Sequence, residues 1–228
     1  MAIKPILFNT EMVRAILDGR KSCTRRIVKP QWEECPNCKH VHNEYICDNL
    51  AGSIYCARCG YPLTPERKAP YQPGDILYVR ETWCLRFDGE KYFYKADKNT
   101  SREEKHLLDY DDVRWHPSIH MPKEAARIWL KVTDVRVERL QEITEDETFD
   151  EGLKFTPPCL HQTGENYCDI DGPCTSKIKY CDMTYGELFG RELWNHTIKK
   201  SDLDRYGWNA NPWVWVIEFE RCEKPEGV

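Results

Sequence analysis

The chain has 228 residues, of which 40% are hydrophobic and 31% charged, enough for one or two domains with a core. Its net charge of -5 argues against a protein that coats nucleic acid, so any such contact must come from a local basic patch. No apolar run approaches the roughly 18 residues of a membrane span, so we expect no membrane partner.

The cysteine content indicates metal ligands or free thiols rather than disulfides. There are twelve cysteines, and residues 1–12 become polar too soon for a signal peptide. Disulfides are rare in proteins that are not secreted, whereas closely spaced cysteines in such proteins usually bind metal. We therefore expect a cytoplasmic protein.

The N-terminal elements lead into a dense basic run. Residues 4–8 predict a strand, and Asn9 or Thr10 can cap the helix that follows, because their side-chain oxygens accept from its free N–H groups. Gly19 can end that helix by adopting a left-handed conformation. Residues 19–26, GRKSCTRR, then form the basic run, which we expect to be a loop at the helix end.

Residues 31–70 differ in character from the rest and predict a zinc-ribbon insertion. Two CxxC pairs, Cys35 with Cys38 and Cys56 with Cys59, are separated by 17 residues, and a glycine follows the second pair. Tetrahedral zinc is satisfied by four thiolates, and its binding can fold a segment that has almost no core. A closed four-cysteine set leaves no open coordination position, so we expect this zinc to be structural.

The middle of the chain predicts strands. Residues 76–83 and 91–96 indicate two strands, with Asp88-Gly89 as the hairpin turn between them. Residues 127–140 alternate between apolar and polar side chains, which predicts a strand pair or one bent strand. A near capping box opens a helix over residues 144–152.

A second Cys-rich insertion occupies residues 153–182. It contains Cys159, Cys168, Cys174 and Cys181, but no CxxC pair, so the signal is less specific than the first. Four cysteines within 23 residues favour a second zinc, with His161 competing as a ligand. An iron–sulfur cluster and a regulatory thiol pair remain open as alternatives.

The C-terminal part predicts a helix over residues 185–194 and a last strand over residues 213–220. Several strands with few helices predict a small β-barrel of α+β type. We expect one domain over residues 1–228, with both Cys-rich segments inserted in its loops.

Two interpretations of the basic run remain open from the residues alone. Cations near a helix C-terminus are favourable in themselves, which accounts for Arg20 and Lys21 as a solvated helix end. The hydroxyls of Ser22 and Thr24 are less easily explained in that way. The surrounding cations would favour the neutral amine of Lys21, which could then act as a base toward Thr24.

Residues 16–26, ILDGRKSCTRR, resemble the signature loop of ASCH domains, which belong to the PUA-like superfamily. PGDIL at 73–77 resembles the second strand of that family, and VIEF at 216–219 resembles its closing strand. Residues 143–152 resemble its helix. The resemblance covers most of the chain outside the two insertions. Within the family, the chain is similar to the ASCH-domain proteins of phages and prophages.

The resemblance implies a small barrel with a cleft between the signature loop and the sheet, and a nucleic acid or modified nucleoside as ligand. The small bacterial N4-acetylcytidine amidohydrolases of this family use a lysine base, a threonine nucleophile and a glutamate acid/base. These match Lys21, Thr24 and Glu151 here, although residues alone would make Glu151 a solvated helix-end carboxylate. Further substrate contacts are expected from Ser22, Arg25, Arg26, Tyr78, Arg80, Glu81 and Trp83.

This chain departs from those amidohydrolases, because it is far larger and carries the two insertions. Fold does not fix function, so three other functions remain open. One is a module that binds RNA or DNA without catalysis, and another is a metal-dependent ribonuclease. The third is a phage accessory protein that acts on a host protein partner.

Overall fold

The computed structural model describes residues 1–29, 31, 35, 37–39, 45–48, 53–62, 69–85, 91–97, 114–154 and 184–227. The strands are β1 (Ile3–Leu7), β2 (Cys23–Ile27), β3 (Tyr45–Asp48), β4 (Ser53–Cys56), β5 (Ile76–Arg80), β6 (Trp83–Leu85), β7 (Tyr92–Tyr94), β8 (Trp129–Arg139) and β9 (Trp213–Cys222). The α-helices are α1 (Thr10–Leu17), α2 (Glu145–Asp150), α3 (Tyr185–Leu188), α4 (Asn195–Thr197) and α5 (Leu203–Tyr206). A π-helical segment spans Phe189–Trp194, and short 3-10 helices span Ser118–His120, Lys123–Ala125, Leu140–Glu142, Lys200–Asp202 and Trp208–Ala210.

Five strands form the main sheet in the order β1-β5-β8-β9-β2, while β3–β4 and β6–β7 form two separate pairs. In the main sheet β1 and β5 are parallel, and the other neighbouring strands are antiparallel. The register of β8 against β9 shifts between Val132 and Asp134, so the predicted segment over residues 127–140 is one long bulged strand. The predicted mixture of strands with few short helices is confirmed.

The sheet is open at its two edge strands in the part of the chain that the structure describes. β1 and β2 are the two edge strands of the sheet, and they do not pair with each other. The two strands are nevertheless joined by one contact, in which the Arg26 guanidinium donates to the backbone carbonyl oxygen of Leu7 at 2.9 Å. The described strands therefore form a sheet whose edges approach through a side chain, and the predicted closed barrel is not seen among them.

β9 lies in the interior and is buried on both faces. Its odd-numbered residues from Trp213 to Phe219 join the core cluster that contains Val13 and Ile16 of α1. Val214 and Val216 face the other way and pack against a second cluster built around Leu140 and Phe189. Burial on both faces explains the nearly continuous apolar sequence of this strand.

The helix that precedes the basic run is built as its sequence predicts. The Asn9 side chain accepts from the backbone N–H of Met12 at 2.9 Å, which caps α1, and Gly19 follows the helix with a φ of 73°.

Two sequence predictions need correction. The end of the basic run is not a loop, because Cys23–Ile27 is a strand that pairs with β9 along its length. The predicted strand over residues 76–83 is also divided. β5 ends at Arg80, and Trp83 begins β6, which pairs with β7 instead of with the main sheet. The predicted Asp88-Gly89 turn lies outside the described residues.

No helix in the described ranges combines the length and the apolar character needed to cross a bilayer.

Candidate active site and metal centre

The backbone of the basic run docks on the end of α2. After Gly19 the chain turns, and the N–H of Lys21 donates to the Ala15 carbonyl at 3.1 Å. Lys21 then forms an isolated antiparallel bridge with Glu151, and the N–H of Ser22 donates to the Asp150 carbonyl at 2.9 Å. These backbone contacts bring Lys21 and Glu151 together across 130 positions of sequence.

Lys21 and Glu151 form a buried ion pair. The Lys21 Nζ donates to Glu151 Oε2 at 2.6 Å and to the Glu151 carbonyl oxygen at 2.9 Å. The Lys21 side chain is 0% exposed and that of Glu151 is 4% exposed. A buried charge is tolerated in a protein only when it is paired and hydrogen-bonded, so each group depends on the other. The glutamate is therefore not the solvated helix-end carboxylate that residues alone would suggest.

Gly152 makes the close approach possible. A Cβ at this position would lie 2.8 Å from the Cβ of Ala15 and 3.5 Å from the Cβ of Lys21. Its φ of 90° also lies where other residues are strained. The glycine allows the segment that carries Glu151 to lie directly against α1 and Lys21.

Thr24 is buried on β2, three residues after Lys21. It pairs with Ile217, and Arg26 pairs with Trp215, so both side chains share the face of the sheet that carries the main core. Phe8 belongs to that same core, and its ring lies 5.6 Å from the Lys21 Nζ and 5.4 Å from the Arg26 Cζ. The Phe8 ring thus lies near both the lysine and the arginine, on the face of the sheet that carries Thr24.

Arg25 points to the opposite face of β2 and contacts three carboxylates. Its Nη2 donates to Glu147 Oε2 at 2.9 Å and lies 3.5 Å from Glu138 Oε2, while its Nη1 lies 3.5 Å from Glu151 Oε1. Its side chain has no exposed surface. Arg136 continues the network through ion pairs with Glu147 and Glu138.

The electrostatic setting changes the titration of several neighbours. Burial raises the pKa of the Cys23 thiol, so this thiol stays protonated and is a poor nucleophile. Burial also lowers the pKa of Arg26, against the attraction of Glu151. Burial alone would raise the pKa of Glu147, but a hydrogen bond from Thr144 and the charges of Arg25 and Arg136 lower it below its ordinary value.

Most of the predicted substrate-binding residues have structural partners. The Ser22 hydroxyl donates to Asp150 at 2.7 Å, and the Arg80 Nε donates to the Met121 carbonyl at 2.7 Å. The Tyr78 ring packs 6.0 Å from that of Trp129, and Trp83 stacks on His116 at 4.9 Å.

Glu81 belongs to a separate ion pair, in which the glutamate is buried and its arginine partner is partly exposed. Both of its oxygens accept from Arg127, at 2.9 and 3.0 Å, and Arg127 also bonds Asp97. Burial raises the pKa of Glu81, even though Arg127 opposes that effect. In the described structure Glu81 contacts Arg127 and the Met121 sulfur rather than Lys21 or Glu151.

Sequence reasoning missed Phe8, Glu138, Glu147 and Arg136. One available signal was the capping box of α2, in which the Glu147 side chain bonds the Thr144 N–H and fixes a carboxylate near the helix start. The placement of that carboxylate against Arg25 depends on how α2 packs beside β2, and no local pattern encodes it.

Cys35, Cys38, Cys56 and Cys59 form a cluster that can hold a metal ion such as zinc. Their four sulfur atoms lie within 4.8 Å of one another. Cys35 and Cys59 are 3.7 Å apart at sulfur, and Cys38 and Cys56 are 3.8 Å apart. A tetrahedral ion with bonds of about 2.3 Å to sulfur requires sulfur separations of about 3.8 Å, so the cluster has the right size.

The two CxxC pairs make the same backbone hydrogen bond and are followed by the same kind of turn. The N–H of Lys39 donates to the Cys35 carbonyl at 2.9 Å, and the N–H of Gly60 donates to the Cys56 carbonyl at 2.8 Å. Lys39 and Gly60 both have positive φ, so each pair is followed by the same tight turn. A backbone hydrogen bond at Tyr61 lowers the pKa of the exposed Cys59 thiol to about 6, which favours the thiolate that binds metal.

The second predicted metal cluster, with Cys159, His161, Cys168, Cys174 and Cys181, lies outside the described residues.

Compared with models of known protein families, with curated proteins and with solved structures, the chain has no match. The case for its function therefore depends on the geometry of its own residues.

Proposed function

We propose that this chain is an ASCH-related amidohydrolase that removes the acyl group from N4-acylated cytosine, with Lys21, Thr24 and Glu151 as the reacting groups. The observation that carries the proposal is the buried pair between the Lys21 ammonium and the Glu151 carboxylate, at 2.6 Å. It brings together two residues that the family resemblance selects from distant parts of the chain.

We also propose the PUA-like fold that the resemblance implies. The five-stranded sheet and the approach of β1 and β2 through Arg26 support it. The segment at residues 73–77 runs into β5, and the segment at residues 216–219 lies within β9, so both belong to this sheet. The two strands flank β8 on either side.

The acylation step starts from the ion pair. A proton moves from Lys21 Nζ to Glu151 Oε2 along their hydrogen bond, which leaves a neutral amine and a neutral carboxylic acid. The amine takes the proton of the Thr24 hydroxyl as its oxygen attacks the acyl carbonyl carbon. Glu151 then protonates the N4 nitrogen as the amide bond breaks, so the free cytosine amine leaves and the ion pair is restored.

Deacylation repeats the same exchange with water. The neutral amine of Lys21 takes a proton from a water molecule, whose oxygen attacks the Thr24 ester. Glu151 returns a proton to the Thr24 oxygen as the ester bond breaks. The products are a carboxylic acid and the free hydroxyl, and the Lys21–Glu151 pair is again charged. Burial supports this cycle, because excluding water reduces the preference for the charged pair over the neutral pair.

Arg26 is suited to hold the developing oxyanion. It lies on the same face of β2 as Thr24, and the Leu7 carbonyl takes only one of the five N–H donors of a guanidinium. Donors aimed at the charge that develops in the transition state are a major source of rate acceleration.

The contacts of the basic run favour a small substrate over a nucleic-acid backbone. Arg20 pairs with Asp18 and with the Gly152 carbonyl, Lys21 pairs with Glu151, and Arg25 pairs with Glu147. Cations that are already paired with carboxylates of the same chain offer little to phosphates, whose recognition depends on accessible positive charge.

We further propose that the four-cysteine cluster binds zinc in a structural role. Four thiolates fill a tetrahedral shell, so the ion would have no position for substrate. It would instead stabilise the β3–β4 pair, which contributes Cys56 and has only four paired positions.

The test is to incubate the protein with N4-acetylcytidine and related acylated nucleosides and to follow free cytidine. Wild type and Thr24→Ser should turn over, whereas Lys21→Ala, Thr24→Val and Glu151→Gln should lose at least about 100-fold, as expected for a missing acid, base or nucleophile. Lys131→Ala removes a lysine from an exposed ion pair on β8 and serves as the matched control with wild-type turnover.

A wild-type protein that is inert on every acylated nucleoside would refute the amidohydrolase. Tight, salt-dependent RNA binding without product would then select the binding module, and RNA cleavage that chelator abolishes would select the ribonuclease.

A further inference from the structure

We propose that Arg25 is a positioning residue that orients the Glu151 carboxylate toward Lys21, and that Glu147 sets how much of the Arg25 charge acts on Glu151. The catalytic meaning of this inference rests on the proposed function, but its structural content can be tested without turnover. It replaces the sequence-based expectation that Arg25 contacts the substrate.

The position of Arg25 on the opposite face of β2 from Thr24 keeps it from direct substrate contact in this structure. Its side chain has no exposed surface, and its guanidinium faces Glu147, Glu138 and Glu151 on the side of β2 opposite to Thr24. A substrate whose acyl group reaches Thr24 would approach the other face of the strand. Arg25 therefore acts on the chemistry only through the carboxylate that it holds.

The two oxygens of Glu151 have different partners. Oε2 accepts from Lys21 at 2.6 Å, and Oε1 faces the Arg25 Nη1 at 3.5 Å. A carboxylate held at both oxygens cannot rotate freely, so Arg25 keeps Oε2 in place for the proton exchange with Lys21. The contact to Arg25 is the longer and therefore the weaker of the two, so a neighbouring charge can change its strength more easily.

Glu147 is the nearer competitor for Arg25. Its Oε2 accepts from the Arg25 Nη2 at 2.9 Å and from the Thr144 N–H at 3.0 Å, and its Oε1 pairs with Arg136. The capping box fixes this carboxylate at the start of α2. Two carboxylates at opposite ends of α2 thus share one buried guanidinium, and the one that binds it more closely draws its positive charge away from the other.

The charged and titratable groups that act on Glu151 come from every element packed around it. They are Lys21, Cys23, Arg25 and Arg26 from the basic run, Glu147 and Asp150 from α2, Glu138 from β8 through Arg25, and Arg20 through the adjacent Gly152 carbonyl. Among these, Glu147 can be neutralised with the least disturbance, because glutamine also serves at the third position of a capping box.

The two positions predict shifts of opposite sign in the titration of Glu151. Glu147→Gln removes the competing negative charge, so the Arg25 charge favours ionised Glu151, which should protonate at lower pH. Arg25→Gln removes the positive charge, so Glu151 should protonate at higher pH. Arg25 lies 3.5 Å from Glu151, and removing a charge at such a distance moves a carboxyl titration by about one pH unit or more.

Glu187→Gln is the matched control. Glu187 occupies the same position in the capping box of α3 that Glu147 occupies in α2, with Thr184 as the partner. Its substitution removes the same kind of helix-end carboxylate from a different helix. We expect the Glu151 titration in this variant to match wild type.

The experiment follows the ¹³C carboxyl shift of Glu151 against pH in substrate-free wild type, Glu147→Gln, Arg25→Gln and Glu187→Gln, and the acidic limb of kcat/KM in the same set. Opposite shifts in the first two variants with none in the control support the proposal. Equal titrations in wild type and Glu147→Gln overturn it, even if Arg25→Gln fails to fold. Shifts of the same sign in both variants also overturn it. Titration shifts as expected in a protein without turnover would leave Arg25 as the positioning residue and refute the amidohydrolase instead.

Discussion

Replacing Lys21 with methionine tests whether the buried ion pair is a real structural element. Methionine keeps much of the length of the side chain but removes the ammonium. The Glu151 carboxylate, which is almost wholly buried, would then keep only Arg25, at 3.5 Å, as a described cationic partner. Removing one member of a buried pair costs about 3–5 kcal/mol, and because the Arg25 contact remains, we expect Lys21→Met to lose about 3 kcal/mol.

The double variant Lys21→Met/Glu151→Leu removes both charges and should recover most of this loss. Replacing a buried pair with apolar residues of similar volume is often neutral, and Arg25 keeps its 2.9 Å bond to Glu147. The free energy of unfolding of the double variant should therefore be about 2–3 kcal/mol higher than that of Lys21→Met. Turnover should stay abolished in the double variant, which separates stability from catalysis.

Urea unfolding at a fixed excess of zinc measures these free energies without a contribution from metal loss. Lys131→Met is the control, because Lys131 and its partner Glu220 are 52% and 60% exposed, and a surface pair contributes at most about 1 kcal/mol. If Lys21→Met unfolds within about 0.5 kcal/mol of wild type, the pair is not buried as described and the reasoning fails.

Three further predictions concern the scaffold. Gly152→Ala should lower the free energy of unfolding by about 1–3 kcal/mol, because the new Cβ would lie 2.8 Å from the Cβ of Ala15. Gly19→Ala should lower it less, because Gly19 also has a positive φ but has open space around it. Equal losses in the two variants would contradict the packing argument. Burial alone would raise the pKa of Asp75, but hydrogen bonds from Lys4, Ala2 and Gln72 lower it, so the stabilisation from Asp75 is complete above the unfolded pKa of about 3.9 and is lost as the pH falls through the folded value. The difference in free energy of unfolding between wild type and Asp75→Asn should therefore shrink in acid. A difference that stays constant with pH would exclude this role. Cys56→Ser should bind one zinc fewer per chain than wild type by mass spectrometry and should lose hydrogen-exchange protection over residues 53–62; an unchanged zinc content would remove the cluster as a metal site.

The local features of the fold were predictable because they depend on short-range rules. The cap at Asn9, the end of α1 at Gly19 and the capping box at Thr144 each follow from side chains within a few residues. The four-cysteine cluster was predictable for the same reason, since two CxxC pairs specify the ligand geometry almost by themselves.

The strand character of the basic run was not predictable from its composition. A segment with two adjacent arginines looks solvated, but Arg25 is neutralised by Glu147 and Glu151, which lie more than 120 residues later. Long-range charge partners allowed a polar segment to pair with the buried strand β9. The same effect explains why Glu81 was expected at a substrate site, since nothing near it in sequence reveals its partner Arg127.

Identifying the residue that carries the acyl group tests the central claim most directly. The proposed cycle places the acetyl group on the Thr24 oxygen between acylation and deacylation, and acid protonates the Lys21 amine that deacylation requires. We would mix an excess of the wild-type protein with N4-acetylcytidine, quench in acid during the first turnover and map the acetyl group by peptide mass spectrometry. We expect to find acetyl on Thr24 in the wild-type protein and none in Thr24→Val. Acetyl on Lys21, or cytidine release by Thr24→Val at the wild-type rate, would contradict it.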